Sequence, residues 1–243
     1  MPSVTALPVR PDPRDLLGWA MLDHFTSGRD MPVRVWINGR RDEDMMPSVF
    51  LRNYSRMRSW ERQALALARG SVLDIGAGGG CHSLLLQKRG LDVLALERSP
   101  LACQVMRDRG IARVEQGDIF DLKGISFDTL LMLMNGLGMA GNEKDTLRLF
   151  RTLRRLLARG GQILGDSTDI LYARMDAQGA FPGTDGYYGE VEFRLEYRGH
   201  RSEPFRWLYL DPALLAELSD KAGLQCEILT RSPGAHYLAR LTA

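Results

Sequence analysis

The run Val72-Leu73-Asp74-Ile75-Gly76-Ala77-Gly78-Gly79-Gly80 joins an apolar strand, an acid and a glycine turn just before a helix that begins at about Gly79. Without a Cβ, the backbone at Gly76, Gly78 and Gly80 can turn sharply, take positive φ and let a ligand lie against the main chain. The helix behind it adds unpaired N–H groups and a positive dipole end to the same crevice. Two more acids stand at intervals that suit this site: Glu97 closes the next apolar segment, 17 residues after Gly80, and Asp118 follows the third in Gly117-Asp118-Ile119. A carboxylate at such a strand end can accept charge-assisted hydrogen bonds from the two hydroxyls of a ribose. Each acid also has a plainer reading, Glu97 as a surface acid before a helix and Asp118 as the cap of a short one. The chemistry indicated is recognition of a nucleoside.

These side chains need elements to position them, and alternating strand and helix signals from Val72 onward supply them. A helix over 81–89, with Leu84 and Leu85 inward, ends at Gly90, and a strand covers 92–96. Ser99-Pro100 opens a helix that stops at Gly110, followed by a strand over 112–116. A fully apolar strand over 127–134 ends in Asn135-Gly136. Asn142 then caps a helix with Leu147, Phe150, Leu153 and Leu157 at helical spacing, and 162–165 forms the fifth strand. Beyond it, residues 190–198 alternate strictly, with Val191, Phe193, Leu195 and Tyr197 on one face and charges on the other, which predicts an antiparallel hairpin with 204–210. Asp211-Pro212 starts a helix ending near Gly223, and strands over 224–229 and 236–241 complete seven.

The expected fold is therefore α/β: a doubly wound, mostly parallel seven-stranded sheet with helices on both faces and an antiparallel hairpin inserted after strand five, at about 187–210. Residues 1–69 form an N-terminal helical appendage, with helices over 16–25 and 60–69 and a short hairpin over 33–37 turning at Asn38-Gly39. The appendage is read as a lid on the core of 70–243, all within one compact domain.

Spacing decides which nucleoside ligand fits. The dinucleotide fingerprint G-x-G-x-x-G, counted from Gly76, needs glycine where the chain has Cys81. An acid followed by G-x-G-x-G instead resembles motif I of the class I S-adenosylmethionine (SAM) dependent methyltransferases, and the order of segments from about 70 to 169 follows that family. Segments 131–136, 161–167 and 188–192 look like bacterial members whose acceptors are mostly unassigned. The resemblance implies SAM as cofactor and S-adenosylhomocysteine (SAH) as product. It places the cofactor against Asp74, Gly76, Ala77, Gly78, Gly80, Glu97, Arg98, Asp118, Ile119 and Asn135, with Glu97 on the ribose, Asp118 on the adenine amino group and Asp74 holding the ammonium directly or through water. Asn135 would face the transferring methyl. The chain reads Asn135-Gly136-Leu137, not the Asn-Pro-Pro-aromatic run of enzymes that methylate DNA bases or glutamine, which argues against those acceptors.

No catalytic residue is dictated; the candidates are Asn135 and Asp166. Asp166 begins a polar run with Ser167, Thr168 and Asp169 at the end of strand five, able to bind an acceptor or merely to cap the next segment. His82, Tyr188 and Trp207 are candidates for the substrate pocket. The other histidines, His24, His200 and His236, stand without a second ligand at metal spacing, and no metal site is expected. Among partners, a small-molecule acceptor is favoured. The net charge of +2 does not indicate nucleic acid, although a local patch could hide in a balanced total. Three dispersed cysteines suit a reducing cytoplasm, and no apolar stretch approaches membrane-spanning length. Oligomeric state is unreadable. The leading expectation is a SAM-dependent methyltransferase; the alternatives are a SAM-binding regulatory or accessory protein without turnover and a nucleotide-dependent oxidoreductase.

Overall fold

The computed structural model describes residues 12–171 and 186–243. The described residues open with helix α1 (Leu16–Ser27), a short hairpin of β1 (Arg34–Ile37) and β2 (Arg40–Arg41), and helices α2 (Ser48–Leu51) and α3 (Ser59–Leu67). The alternating core comes next: β3 (Ser71–Ile75), α4 (Cys81–Lys88), β4 (Asp92–Glu97), α5 (Pro100–Asp108), β5 (Val114–Gln116), β6 (Phe127–Met132), α6 (Glu143–Leu156) and β7 (Leu157–Thr168). After it come β8 (Glu190–Tyr197), β9 (His200–Arg201), β10 (Phe205–Leu208), α7 (Pro212–Lys221), β11 (Gln225–Arg231) and β12 (His236–Thr242).

Seven strands form one sheet in the order β11-β12-β7-β6-β3-β4-β5. The five strands from β3 to β7 pair in parallel, and β12 and β11 close one edge antiparallel. The chain leaves β3 toward β4 on one side and later returns to lay β6 on its other side. The carboxyl ends of β3 and its neighbours thus meet at the switch point of a doubly wound sheet, where such folds bind ligands. The predicted seven-stranded sheet is present, as is the insertion after strand five.

Local details differ from expectation for identifiable reasons. In α4 the fully buried positions are Cys81, His82, Ser83 and Leu86, while Leu84 and Leu85 are only half-buried, because the helix leaves the glycine turn with Leu86 aimed at the sheet. The sixth strand stops at Met132, short of 134, because Met134 (φ 65°) and Asn135 (φ 60°) both adopt the left-handed conformation. The seventh begins earlier than 162, at Leu157, and contains a register shift opposite Phe127 and Thr129.

The largest departure concerns the appendage and the insertion, which form one second sheet in the order β10-β8-β1-β2, with β9 paired to β8. β1 pairs antiparallel with β8, Val35 opposite Leu195, across 160 positions of sequence. Its apolar face packs Val33, Val35, Val191, Phe193, Leu195 and Tyr197 against Leu16 and Ala20 of α1. Neither hairpin could bury an apolar face alone, since an isolated two-stranded ribbon is marginal in water. Joined, they cover a common core. The second sheet lies close against the segment after β6: a Cβ on Gly138 would come within 1.6 Å of the Leu208 carbonyl, so only glycine fits there.

Candidate functional site

A cavity of about 1020 Å³ opens at the carboxyl ends of β3, β4 and β5. Its floor is the glycine turn, Gly76, Ala77 and Gly78; Glu97, Arg98, Asp118 and Ile119 stand along one side. Phe50, Met134 and Met139 contribute apolar surface, and Phe205, Arg206 and Trp207 reach in from the second sheet. The N-terminal part of the chain adds Asp15, Leu17 and Met21.

The residues of this cavity fit a nucleoside bearing a methionine-like tail. Gly78 has φ 55°, and a Cβ there would press to 3.2 Å from the Phe50 ring, so the bare backbone keeps a channel open between turn and ring. Glu97 Oε2 accepts from the Gly78 N–H at 2.8 Å, and its Oε1 accepts from the N–H groups of Arg98 at 2.7 Å and Ser99 at 2.9 Å. This one carboxylate fastens the second strand end to the glycine turn. Its two oxygens offer about four acceptor positions, so a ligand hydroxyl can add to or replace these bonds. Asp118 Oδ1 accepts from the Phe120 N–H at 3.1 Å, which caps the short helical turn over 119–121, while Arg98 approaches its other oxygen at 3.8 Å. For Asp118 the capping role and the place in the cavity wall coexist.

Asp74 is buried, and its Oδ2 accepts from the Ser83 hydroxyl at 2.5 Å. Burial pushes its carboxyl pKa upward, against the pull of His82 and Ser83. Asp74 thereby ties the turn to the first turn of α4, and it also lines the cavity. Gly80 does not. A Cβ there would sit 2.2 Å from Ile111 Cδ1 and 2.8 Å from Met106, so its glycine serves packing against α5 and the Ile111 side chain just beyond that helix.

Behind the turn lies a buried charge cluster that spacing could not reveal. Glu61 of α3 accepts from Arg52, meets His82 Nε2 at 2.8 Å, and closes the start of α3 through the Arg58 N–H at 2.8 Å. Arg52 also reaches Met134 Sδ at 3.6 Å. All three charged side chains are less than a tenth exposed. Burial opposes charge on His82, but Cys81, Glu61 and Asp74 outweigh it and hold the imidazole well above its ordinary range. Glu61 shows the complementary balance: burial raises it, and His82, the Arg58 N–H and Arg52 carry it below the usual carboxylate range. The cluster braces the helices of residues 48–67 against the cavity floor.

A second polar network sits where β6 and β7 end. Asp166 Oδ1 accepts from the Asn135 N–H at 2.9 Å, and Oδ2 accepts from Trp60 Nε1 at 3.1 Å and contacts His236 Nε2 at 2.8 Å. Trp60 stacks on the His236 ring with centroids 4.1 Å apart. Thr168 Oγ1 bridges His236 Nδ1 and Asn135 Oδ1, both at 2.8 Å, and Trp207 Nε1 donates to the Asn135 carbonyl at 3.2 Å. Two consecutive non-glycine residues in the left-handed region, Met134 and Asn135, cost free energy that these contacts offset. Tyr188 donates to Asp169 at 2.7 Å and lies outside the cavity lining.

Of the predicted site residues, the structure gathers Asp74, Gly76, Ala77, Gly78, His82, Glu97, Arg98, Asp118, Ile119 and Trp207 around one cavity. Asn135 and Asp166 adjoin it through Met134, Gly136 and Trp207, which do line it. Phe50, Arg52, Trp60, Glu61 and His236 were not singled out by sequence. Trp60 and His236 meet Asp166 across 106 and 70 positions, and no local spacing marks such pairs.

Comparison with known proteins agrees with this geometry. Residues 72–161 match the family described as a methyltransferase domain. A SAM-dependent methyltransferase from Bacteroides fragilis, solved in complex with SAH, superposes with a TM-score of 0.88 at 37% identity, covering 96% of this chain and 97% of that one. Among curated relatives, the cypemycin N-terminal methyltransferase of Streptomyces sp is 32% identical over 46% of this chain and 47% of its own length. A ubiquinone biosynthesis O-methyltransferase of Pseudomonas aeruginosa is 29% identical over 43% of this chain and 47% of its own. The chain thus spans about half the length of the curated relatives it matches. With the glycine turn, the strand-end carboxylate and a near full-length structural match in hand, this chain belongs to the class I SAM-dependent methyltransferases.

Proposed function

We propose that the protein transfers a methyl group from SAM to a small-molecule acceptor held between the glycine turn and the second sheet. The observation that carries this reading is the Glu97 carboxylate fastened to the Gly78 N–H at 2.8 Å inside a cavity that extends to Phe205 and Trp207. The bound cofactor supplies an electrophilic methyl group on sulfonium, and alignment and exclusion of water fall to the protein. Glu97 accepts from the ribose hydroxyls. Asp118 accepts from the adenine amino group, with Ile119 against the ring and Arg98 beside it. Gly76, Ala77 and Gly78 offer bare backbone to the methionine portion, and Asp74 faces its ammonium directly or through water. Gly80 is assigned to packing. Asn135 and Asp166 belong to the acceptor side, with Trp207 over them and His82 below the floor, while Tyr188 supports the acceptor side from outside the cavity wall.

Residues 12–69 and the insertion act together as a roof on the core. Among the described residues no helix is long and apolar enough to cross a membrane. Free Cys81, Cys103 and Cys226, together with the bacterial sources of the relatives, support a bacterial cytoplasmic setting.

Calorimetry with SAH, followed by an SAH-release assay over a panel of small amines, phenols and carboxylic acids, tests the reading. Binding of SAH and release with one member of the panel are expected. Tight SAM binding with no release on any acceptor would identify an accessory module, and a fluorescence response to NADH would favour an oxidoreductase.

A further inference from the structure

Helix α1 is fastened at its two ends to different parts of the site. Asp15 lies at its N-cap position, and Asp15 Oδ2 reaches across to accept from the Leu101 N–H, in the first turn of α5, at 3.4 Å. One carboxylate thus faces the positive ends of two helices. Burial pushes it above the usual carboxylate range, against the pull of the Ser99 hydroxyl and the Leu101 N–H. A Cβ on Gly18 would collide with Ser99 Oγ and the Asp15 carboxylate, and Ser99 cannot give way without releasing the Ala102 N–H that it caps at 2.9 Å. Ser99 is also the residue whose N–H holds Glu97 Oε1 at 2.9 Å, while Glu97 Oε2 holds the Gly78 N–H of the glycine turn. About two turns along α1, roughly 12 Å at the helical rise, Asp23 accepts from the Tyr197 hydroxyl at 2.9 Å and pairs with Arg198 Nε at 2.9 Å, at and just beyond the end of β8. Between these anchors Leu16 and Ala20 join Val35 and Leu195 in one apolar cluster. Asp15, Leu17, Gly18 and Met21 line the cavity together with Glu97 and Ser99.

We propose that α1 is a strut between the cofactor and acceptor regions, with Asp15 as a positioning residue that holds the Ser99–Glu97 loop toward the ribose and, through Asp23, the second sheet over the acceptor. This inference rests on the methyltransferase reading above and deepens it by naming the residues that couple the two sites. A ribose held by Glu97 steadies the loop that leads into α5, and the start of α5 is the surface on which Asp15 and Gly18 dock. The helix carries that restraint to Tyr197 and Arg198. Leu195 of the same strand lines the cavity, and β10, paired to β8, brings Phe205 and Trp207 to it. Cofactor binding therefore tightens the roof, and by linkage a docked roof favours the cofactor to the same degree.

The test is amide hydrogen exchange read by mass spectrometry, with SAH affinity from calorimetry. In the wild-type chain, saturating SAH should slow exchange over α1 and β8 by about tenfold more than over β12. Asp15→Ala should weaken SAH binding roughly fivefold and, at saturating SAH, abolish the extra slowing over β8 while that over the glycine turn remains. Asp23→Ala cuts the other end of the strut: the extra slowing over β8 should vanish with SAH affinity within about twofold of wild type. Weakened binding in Asp15→Ala with the β8 effect intact would mean that Asp15 acts on the ligand alone, and it would overturn the proposal. Slowing confined to the glycine turn in the wild type, or a β8 effect that survives Asp23→Ala, overturns it as well. Failure of the wild-type chain to bind SAH would overturn the cofactor reading first; normal SAH binding with β8 unaffected overturns this inference alone.

Discussion

On the donor side of the cavity, Gly76, Gly78, Glu97 and Asp118 come from three successive strand ends within one alternating stretch of chain. On the side proposed for the acceptor, Trp60, Asn135, Asp166, Trp207 and His236 come from α3, the end of β6, β7, β10 and β12. The donor side is local because parallel βαβ units set adjacent strand ends side by side whatever else the chain does. The acceptor side exists only once the antiparallel edge and the second sheet have docked. Its parts are also more interlocked: each of Asp166, Asn135 and Thr168 satisfies at least two neighbours.

The buried cluster linking the two sides offers the largest effect. Glu61→Ala leaves Arg52 and His82 without their shared carboxylate, and removing one partner of a buried ion pair costs about 3–5 kcal/mol. Urea unfolding should show that loss, and a change under about 1 kcal/mol would mean the cluster does not brace the floor. Next comes Glu97→Ala, which removes hydrogen bonds to a charged acceptor at about 1.5–3 kcal/mol in all. SAH affinity measured by calorimetry should fall roughly tenfold or more, with far less effect on unfolding. Unchanged affinity would remove Glu97 from the ribose role. Trp207→Phe keeps the ring and deletes the bond to the Asn135 carbonyl, for about 1 kcal/mol of stability. SAH affinity should hold within about twofold; a fall as large as that of Glu97→Ala would erase the distinction between the two sides.

The smallest effect is in the pH dependence of the cluster. His82 is raised in the folded protein, so the stability it contributes is fully present below its unfolded pKa of about 6.5 and declines as pH rises through its folded value. Glu61 is lowered, so its contribution is present above about 4.3 and is lost as pH falls through its folded value. Unfolding free energy measured from pH 6 to 9 should therefore fall on the alkaline side, and His82→Gln should flatten that decline. An equal slope in both proteins would place the titration elsewhere.

The same contrast between the two sides governs how much of each could be read in advance. Gly76, Gly78, Glu97 and Asp118 were legible because steric need and strand-end position leave marks within a few residues. Even there, Gly80 resembled its neighbours in type and spacing, and only the approach of Ile111 and Met106 shows that its side-chain space is taken by packing. His236 looked like an isolated histidine. It acquires partners because β12 runs antiparallel to β7, which puts His236 opposite Thr168 and Leu238 opposite Asp166. The alternation of Val191, Phe193 and Leu195 announced a half-buried strand but not its cover, since periodicity specifies a face and not its partner.

The sequence alone determined the alternating strands and helices, the glycine turn and the carboxylates at the strand ends, because backbone sterics and hydrophobic period act over short distances. Tertiary structure decided that the N-terminal hairpin and the late insertion become one sheet, that Arg52, Glu61 and His82 share a buried site, and that Asp166, Thr168 and His236 meet Asn135 in one hydrogen-bonded network. Those arrangements depend on desolvation and hydrogen-bond satisfaction among groups far apart in the chain. Such terms take effect only when packing has removed the water.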